Sequence, residues 1–460
     1  MINIKVDSRK VVPGDTFIAL RGVSSDGHDY IDKAIKNGAI KIVAEEGNYS
    51  VDTIIVSNTR EYLINYLKDN YNKFIDKMTI IGITGTNGKT TSAFLTSNAL
   101  NMLGKKSAYI GTLGFYITEK IYGLDNTTPD ILELYNMFME AYEQNCKCVV
   151  LEVSSQGLGY NRVEGFLFDY AVFTNLTQDH LDYHKTMENY ALAKQKLFKK
   201  LKTNGKAIIN YDDEYKNYYI LNENNNITYG FEGGDYQVQD FNMTNLGTTF
   251  QYNHNNKIHH VVTPLIGRYN VYNLLVTIII LKELQFKDNL INDLLPKLKA
   301  PAGRMDTIKY GTNSIIIDYA HTPDAIIKIV NTMADVTIGN IYVVFGCTGD
   351  RDRTKRPLMT EIVTSKAKLA ILTNDDPHNE DPYQIIDDMT KNLIAKNYEV
   401  ILDRRQAIIR GIKLLEENDV LLILGKGHEE VMIVKDQKIP FNDRKEATDY
   451  IKQINSVLKN

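Results

Sequence analysis

The 460-residue sequence predicts an α/β protein of three domains. The length exceeds one ordinary hydrophobic core and suits about three units. Met78–Thr84 is a nearly continuous β-prone run that meets a glycine turn and then a helix-compatible stretch, the order of a buried parallel strand, loop and helix. Beyond Lys297–Arg304, short β-prone runs alternate regularly with helical stretches, as in a parallel sheet with helical crossovers.

Residues 1–77 form a small mixed module. Strands are expected at Thr16–Leu20, Ile40–Ala44 and Thr53–Val56, with helices near Ile31–Asn37 and Arg60–Tyr71. No nucleotide signature occurs there, which suits substrate docking or a structural cap. The central unit opens at Met78–Thr84, with a helix at Thr90–Leu103 and further strands at Lys147–Leu151, Ala171–Thr174 and Lys206–Asn210. Asn222–Lys257 reads as a small antiparallel excursion, and a helix near Asn270–Glu283 returns to the core. Pro301 and Gly303 break helix periodicity and mark the next boundary. The last unit has strands at Ser314–Asp318, Ile341–Gly346, Leu369–Thr373, Tyr398–Leu402 and Val420–Leu424. Between them lie helices at Asp324–Asn331, Pro357–Lys366, Tyr383–Lys396 and Arg405–Glu416.

Composition narrows the function classes. With 43% hydrophobic and 24% charged residues the chain has a globular balance. A net charge of −4 leaves no basic footprint for nucleic acid or anionic lipid, so any positive charge that holds an anionic substrate is local. Three cysteines, Cys146, Cys148 and Cys347, make no disulfide framework. The start, MINIKVDSRK, lacks a signal-peptide h-region, and no apolar run approaches ~20 residues. A cytoplasmic location without membrane insertion is expected; the apolar run around Leu274–Leu281 fits a buried helix.

Gly85-Thr86-Asn87-Gly88-Lys89-Thr90 falls between the buried strand and its helix. A strict Walker A pattern needs glycine where Ile83 stands, so this loop is shorter. Its glycines let backbone N–H groups curl round phosphate oxygens at a helix N-terminus. Lys89 is placed to reach the β- and γ-phosphates and the Thr90 hydroxyl to ligand Mg²⁺. Glu152 ends a strand facing the same crevice, where it suits Mg²⁺. Thr174–His184 supplies Asp179, His180, Asp182 and His184. Zinc is an alternative for the two histidines, but the cysteines are unsuitably placed to complete such a site, and magnesium is favoured. Asp179 also suits a plain helix cap.

The blocks GTNGKT, LEVSSQGL, TNLTQDHLDYH, LIGRYNVYN, APAGRMD, DYAHTPD, FGCTGDRDRTKRP and LGKGHE, in that order, resemble the Mur ligase family over essentially the whole chain. The likeness is greatest to the members that add the third peptide residue in peptidoglycan synthesis. Folylpolyglutamate synthetase shares the central loop but not the N-terminal module or the Gly349–Arg353 block. The resemblance implies a UDP-substrate-binding domain at 1–77, an ATP-binding domain at 78–302 and a Rossmann-like amino-acid-binding domain at 303–460. It implies an acyl-phosphate ligation: a substrate carboxylate attacks ATP, and an amine then displaces phosphate. The partners would be UDP-N-acetylmuramoyl-L-alanyl-D-glutamate, ATP and a free amino acid, with Mg²⁺ and a monomeric protein.

Residue by residue, the resemblance makes Thr90, Glu152, His180 and Lys194 metal-binding, and Lys89, Lys194, Glu152 and His180 catalytic. ATP would be held by Gly85–Thr90, Asn273 against the adenine, Arg304, and Asp318 through the ribose. Ser8, Thr127, Thr128, Ser154, Gln156 and Arg162 would hold the muramoyl-peptide, with the Asp7–Arg9 and Asp26–His28 regions at the uridine. Gln156 departs from the family's usual histidine and cannot become cationic. Spacing alone suggests a solvent-facing Lys194; the motif instead matches a lysine carbamylated to N6-carboxylysine, which turns a cation into a metal-binding anion. Two other classes fit a GKT loop, a kinase and a nucleotide-dependent scaffold. A ligase differs from a kinase in needing an amine before ADP appears at full rate. A scaffold has no need of Lys89, Glu152, His180, Lys194 and Arg304 together.

For the incoming amino acid, diaminopimelate-adding relatives carry a DNPR-like block, whereas this chain reads Asp375-Asp376-Pro377-His378. Histidine lacks the bidentate fork that grips a carboxylate. The reading expects Arg351 on the α-carboxylate and Asp375, Asp376 and Glu429 around the ε-ammonium of L-lysine, with His378 and Gly425 lining the site. Diaminopimelate is the alternative.

Overall fold

A computed structural model describes residues 2–22, 25–220, 225–244 and 247–457. The Asp182 side chain lies outside the described residues, as do Asn222–Asn224 and Asn245–Leu246 of the expected antiparallel excursion.

The N-terminal strands Ile4–Lys5, Thr16–Ile18, Lys41–Ala44 and Asp52–Ile55 form a four-stranded, wholly parallel sheet. The Asn58 side chain accepts from Glu61 N at 2.9 Å and starts the helix Thr59–Ile75. Leu63 and Leu67 of that helix share one apolar cluster with Ile4, Ile18 and Val43 on one side and Ile131, Leu134 and Tyr135 on the other. The first module therefore packs directly on the second. Tyr135 Oη donates to Asn72 Oδ1 at 2.8 Å across this seam.

Among the described residues the central sheet has eleven strands. From Asn226–Gly230 through Leu201–Asn210, Phe168–Phe173, Thr79–Thr84 and Cys148–Glu152 to Ser107–Gly111 all neighbours run parallel. Gly114–Ile117 and Glu119–Tyr122 extend one edge as antiparallel strands. The excursion is not separate: Tyr236–Thr244 joins the other edge in parallel, and Gly247–His254 and Lys257–Thr263 continue it antiparallel. Thr79–Thr84 lies between Phe168–Phe173 and Cys148–Glu152, so Thr84, Glu152 and Phe173 open on one crevice at their carboxyl ends. The helix Lys89–Met102 packs on Arg268–Glu283, with Thr96 Oγ1 and Thr277 Oγ1 3.1 Å apart. Leu274–Leu281 is buried throughout, as expected.

The C-terminal sheet runs Asp306–Tyr310, Asn313–Asp318, Val420–Leu424, Ile341–Phe345, Leu369–Leu372, Tyr398–Val400. All pairs are parallel except the first, an antiparallel edge that sequence periodicity missed. The helix expected to reach Lys396 stops at Thr390, because Lys391 turns to ψ 119° and Asn392 to a left-handed φ of 63°, making a tight turn in which Leu393 N donates to Thr390 O. The hairpin Val431–Val434/Gln437–Pro440 and the helix Asp443–Val457 were also unexpected. Buried Arg404 anchors that helix through two 2.7 Å bonds to Asp443. Among the described residues no helix is long and apolar enough to cross a membrane.

Candidate active site

Both glycines of the loop are required by close approach. Gly85 has φ 149° and Gly88 φ 86°; a Cβ on Gly85 would strike Thr174 Oγ1, and one on Gly88 would lie 2.5 Å from Asn273 Oδ1. The segment after Phe173 shapes the loop from outside. Thr174 Oγ1 and Asn175 Nδ2 donate to Asn87 O at 2.7 and 2.9 Å, and Thr86 N donates to Asn175 O at 2.8 Å.

Lys89 Nζ donates to Gly85 O at 2.8 Å and Thr86 O at 2.9 Å. Lys194, buried, donates to the same Gly85 carbonyl at 2.8 Å, its ammonium 4.4 Å from the Tyr190 ring centroid. Desolvation lowers the pKa of Lys89. Burial, reinforced by the charge of Lys89, holds Lys194 well below the usual lysine range. The solvent-facing alternative for Lys194 is thereby excluded.

Thr90 Oγ1 donates to Glu152 Oε2 at 2.9 Å, joining two of the four expected metal ligands directly. The Glu152 carboxylate is fully buried and also accepts from Tyr109 Oη at 2.5 Å, Thr112 N at 3.0 Å and Thr112 Oγ1 at 3.2 Å. Sequence reasoning missed Tyr109 and Thr112; their only signal is membership of the neighbouring strand and its turn. The two histidines part company. His180 caps Leu181–His184 at φ 52° with its ring 45% exposed and Nε2 3.5 Å from Asp179 Oδ2. His184 is buried, stacked on Tyr190 with centroids 4.9 Å apart, its Nε2 2.9 Å from Ser155 Oγ. That arrangement gives no zinc pair.

A second group surrounds the end of the Cys148–Glu152 strand. Thr128 Oγ1 donates to Glu152 O at 2.9 Å and accepts from Ser154 N at 2.9 Å; Arg162 Nη1 donates to Thr128 O at 2.8 Å. Thr127 Oγ1 lies 3.1 Å from Thr112 Oγ1, and Gln156 is exposed at the start of a short helix. Arg162 Nε is buried without a partner among the described residues. In the N-terminal module the residues expected at the uridine are engaged in turns. Ser8 is buried with its carbonyl accepting from Asn37 Nδ2 at 2.8 Å, and Asp26 Oδ1 lies 2.6 Å from His28 Nδ1.

Between the central and C-terminal units lies a cleft of ≈ 530 Å³ lined by Asn87, Gly88, Asn273, Arg304 and Asp318 among others. Asn87 Nδ2 reaches across it to Asp324 Oδ2 at 3.0 Å. Asp318 accepts from Met305 N at 2.7 Å, and burial raises its pKa. The Arg304 guanidinium lies 4.7 Å from the Tyr319 ring centroid. Asn273 is held from two sides. Its Oδ1 accepts from Ser92 Oγ at 3.1 Å and its Nδ2 donates to Asn270 Oδ1 at 3.1 Å, so the side chain buttresses the loop beneath Gly88 while lining the cleft.

The expected amino-acid site is also revised. Asp375, Asp376 and Glu429 do converge, but Lys426, fully buried, already fills the space they enclose. Its Nζ donates to Asp376 Oδ1 at 2.7 Å and Glu429 Oε2 at 2.8 Å, and lies 3.8 Å from Asp375 Oδ1. The chain supplies the ammonium that the sequence reading assigned to a substrate. Burial pushes Asp375 up to about 7 against the pull of Arg404 and Lys426. Gly425, at φ 113°, leaves room for the Asp375 carboxylate. His378 takes a φ of 48° and bonds through its backbone to the hairpin: its N–H donates to Ile433 O at 3.1 Å. Arg351 is exposed nearby, in the loop that pairs with Asp376 and Pro377.

Three family descriptions match in succession: Mur ligase family, catalytic domain, over residues 2–84; Mur ligase middle domain over 83–281; and Mur ligase, glutamate ligase domain over 303–427. The UDP-N-acetylmuramoyl-L-alanyl-D-glutamate–2,6-diaminopimelate ligase 1 of Clostridium acetobutylicum is 38% identical across 98% of this chain and 95% of its own length. The 2,6-diaminopimelate ligase of the same type from Fusobacterium nucleatum is 40% identical across 96% and 92%. A solved structure of a UDP-N-acetylmuramoyl-L-alanyl-D-glutamate–2,6-diaminopimelate ligase superposes with a TM-score of 0.72 at 33% identity, covering 99% of this chain and 95% of that one. The fold is also that of the MurF ligase of Thermotoga maritima solved with ADP, with a TM-score of 0.70 at 20% identity, covering 98% of each chain. With one cleft walled by Asn87 and Gly88 on one side and Arg304 and Asp318 on the other, and with family likeness along nearly its whole length, the chain belongs to the Mur ligase family.

Proposed function

We propose that this chain is a UDP-N-acetylmuramoyl-tripeptide synthetase, which uses ATP to join a diamino acid to UDP-N-acetylmuramoyl-L-alanyl-D-glutamate. The observation that carries this reading is the cleft that sets Asn87 and Gly88 of the loop opposite Arg304 and Asp318 of another unit, with the loop's Thr90 bonded to buried Glu152. Residues 1–77 take the UDP end, 78–302 the ATP phosphates and 303–460 the amino acid.

The donors around Glu152 and Thr90 are oxygen atoms, which suit a hard cation, so these two residues would hold Mg²⁺, with His180 and carbamylated Lys194 as the further ligands the family likeness implies. Bound Mg²⁺ would neutralise charge on the β- and γ-phosphates. The chain's own groups do the rest. Loop N–H groups and Lys89 hold the phosphates, and Arg304 adds positive charge where a substrate carboxylate meets the γ-phosphate. A carboxylate oxygen bonds to the γ-phosphorus as the β–γ phosphoanhydride bond breaks and ADP leaves, giving an acyl phosphate; the amine nitrogen then bonds to its carbonyl carbon, phosphate leaves, and the amine proton passes to solvent. Thr127, Thr128, Ser154 and Arg162 would hold the dipeptide end, and Ser8 the UDP side.

For the third substrate we propose L-lysine, because His378 stands where a fork-shaped arginine would grip a second carboxylate. Diaminopimelate is the second reading. Its support is that the quoted relatives are named diaminopimelate ligases and that Lys426 offsets part of the acidic charge. The test is kcat/KM with L-lysine, meso-diaminopimelate and L-ornithine, read as ATP-dependent amide formation by pure enzyme. A tenfold preference for diaminopimelate sinks the lysine assignment; ADP release without any amide sinks the ligase reading.

A further inference from the structure

Two loops of the C-terminal unit meet beside the proposed amino-acid site. One carries Arg351, the other His378. Gly349 N donates to Asp376 O at 2.7 Å, and a Cβ on Gly349 would strike the Pro377 carbonyl. The next residue, Asp350, is held at φ 55°, a left-handed conformation that a non-glycine residue adopts only when its surroundings impose it. Three contacts impose it here, one of them from Asn379 N to Asp350 Oδ2 at 3.3 Å. Asn379 Nδ2 donates to Asp350 Oδ2 at 2.9 Å, and Asp350 N donates to Glu380 Oε1 at 2.6 Å.

Glu380 gathers more than that one donor. Arg356 forks onto it, Nη2 to Oε1 at 2.8 Å and Nη1 to Oε2 at 2.9 Å, and Arg353 Nη2 reaches Oε2 at 2.8 Å. Arg356 is 1% exposed and cannot turn to water for other partners. The hydrogen bond from Arg356, with help from Arg353 and the Asp350 N–H, holds the Glu380 carboxyl down to about 2, so it is ionised throughout the neutral range. A carboxylate two residues after His378 is thus bonded to the backbone one residue before Arg351.

We infer that Glu380 is the positioning residue of the amino-acid site: by clamping Asp350 N and the Arg353 and Arg356 guanidiniums, it sets the spacing between Arg351 and His378. It touches no substrate itself. This inference rests on the proposed ligase function and on the assignment of Arg351 and His378 to the incoming amino acid. A misplacement of a binding group by an ångström weakens its contact steeply, so the clamp acts on amino-acid affinity and leaves the ATP cleft alone.

The competing explanation is that Glu380 only neutralises buried Arg356. Asp388 separates the two. It also partners Arg356, Nη1 to Oδ2 at 2.8 Å, and lies 3.3 Å from Arg353 Nε, but Asp350 N bonds to Glu380 instead. Glu380→Gln and Asp388→Asn each remove one charge from Arg356, and only the first changes the acceptor of the Asp350 N–H, from a carboxylate oxygen to an amide group with a single acceptor oxygen. Steady-state kinetics of the full-length enzyme with the amino acid that the wild type prefers make the test. Glu380→Gln is expected to raise KM for the amino acid by about tenfold or more, with KM for ATP and for UDP-N-acetylmuramoyl-L-alanyl-D-glutamate changed less than about twofold. Asp388→Asn is expected to leave all three within about twofold. An unchanged amino-acid KM in Glu380→Gln, or equal rises in both variants, overturns the inference. Should Glu380→Gln not fold, Asn379→Ala removes the shorter of the two Asn379 bonds to Asp350 from an exposed position; a rise of about threefold in amino-acid KM alone supports the clamp, and no rise overturns it. A wild type that forms no amide with any amino acid overturns the functional reading first, before any variant is compared.

Discussion

Lys89 Nζ and Lys194 Nζ both donate to the carbonyl oxygen of Gly85, each at 2.8 Å. Two ammonium groups sharing one acceptor repel each other, and desolvation strengthens the repulsion. Carbamylation of Lys194, as proposed, would convert that repulsion into attraction toward Lys89. Wild-type enzyme in ¹³C-bicarbonate is expected to show a carbamate carbon signal that Lys194→Ala lacks. Lys194→Ala should also lose about a hundredfold or more in kcat, since it removes an electrostatic group at the phosphate site, and added bicarbonate should not restore it. Near-wild-type turnover would end this assignment.

Gly88 supports a second expectation. Its φ of 86° and the 2.5 Å approach of Asn273 Oδ1 to a built Cβ leave no room for alanine. Gly88→Ala should displace Asn273 or reshape the loop, costing more than about 1 kcal/mol in stability. KM for ATP should rise by about tenfold or more, because the loop N–H groups no longer converge on phosphate. Pairing it with Asn273→Ala, which opens the space, should recover part of the ATP affinity; the absence of any recovery would show that strain at φ, not the clash, is responsible.

Lys426 tests the revised acidic cluster. Replacing it by methionine leaves Asp375, Asp376 and Glu429 facing one another without their shared cation. Breaking a buried pair by removing one partner costs about 3–5 kcal/mol. Urea unfolding should show that loss at neutral pH, and it should shrink as pH falls and the carboxyls take up protons. A variant as stable as the wild type at pH 8 would mean that the cluster is open to a substrate ammonium after all.

Asp375 gives the cluster a pH signature. Folded, its carboxyl titrates at about 7; unfolded, it titrates near the ordinary ~3.9. Between those values the folded state holds the proton more tightly, so this group makes stability fall as pH rises, levelling off above about 7. The difference in unfolding free energy between wild type and Asp375→Asn should therefore change across that window and be flat above it. A difference that does not vary with pH would show that Asp375 is not protonated in the folded protein.

What the sequence determined by itself was whatever depends on short-range order. The run Met78–Thr84, the glycines at 85 and 88, and the following lysine and threonine specify a strand, an anion-binding loop and a helix, because each needs only local dihedrals and side-chain periodicity. Glu152 at a strand end was legible for the same reason, and its contact with Thr90 follows from the two strands lying side by side. The tertiary structure alone decided which charges meet. Lys194 reaches Gly85 across 109 positions, and Lys426 reaches Asp376 across 50. No periodicity encodes such encounters. A row of acidic residues reads as an open anionic pocket until the fold shows which cation has been buried among them, since desolvation makes each buried charge take a partner from wherever the chain passes.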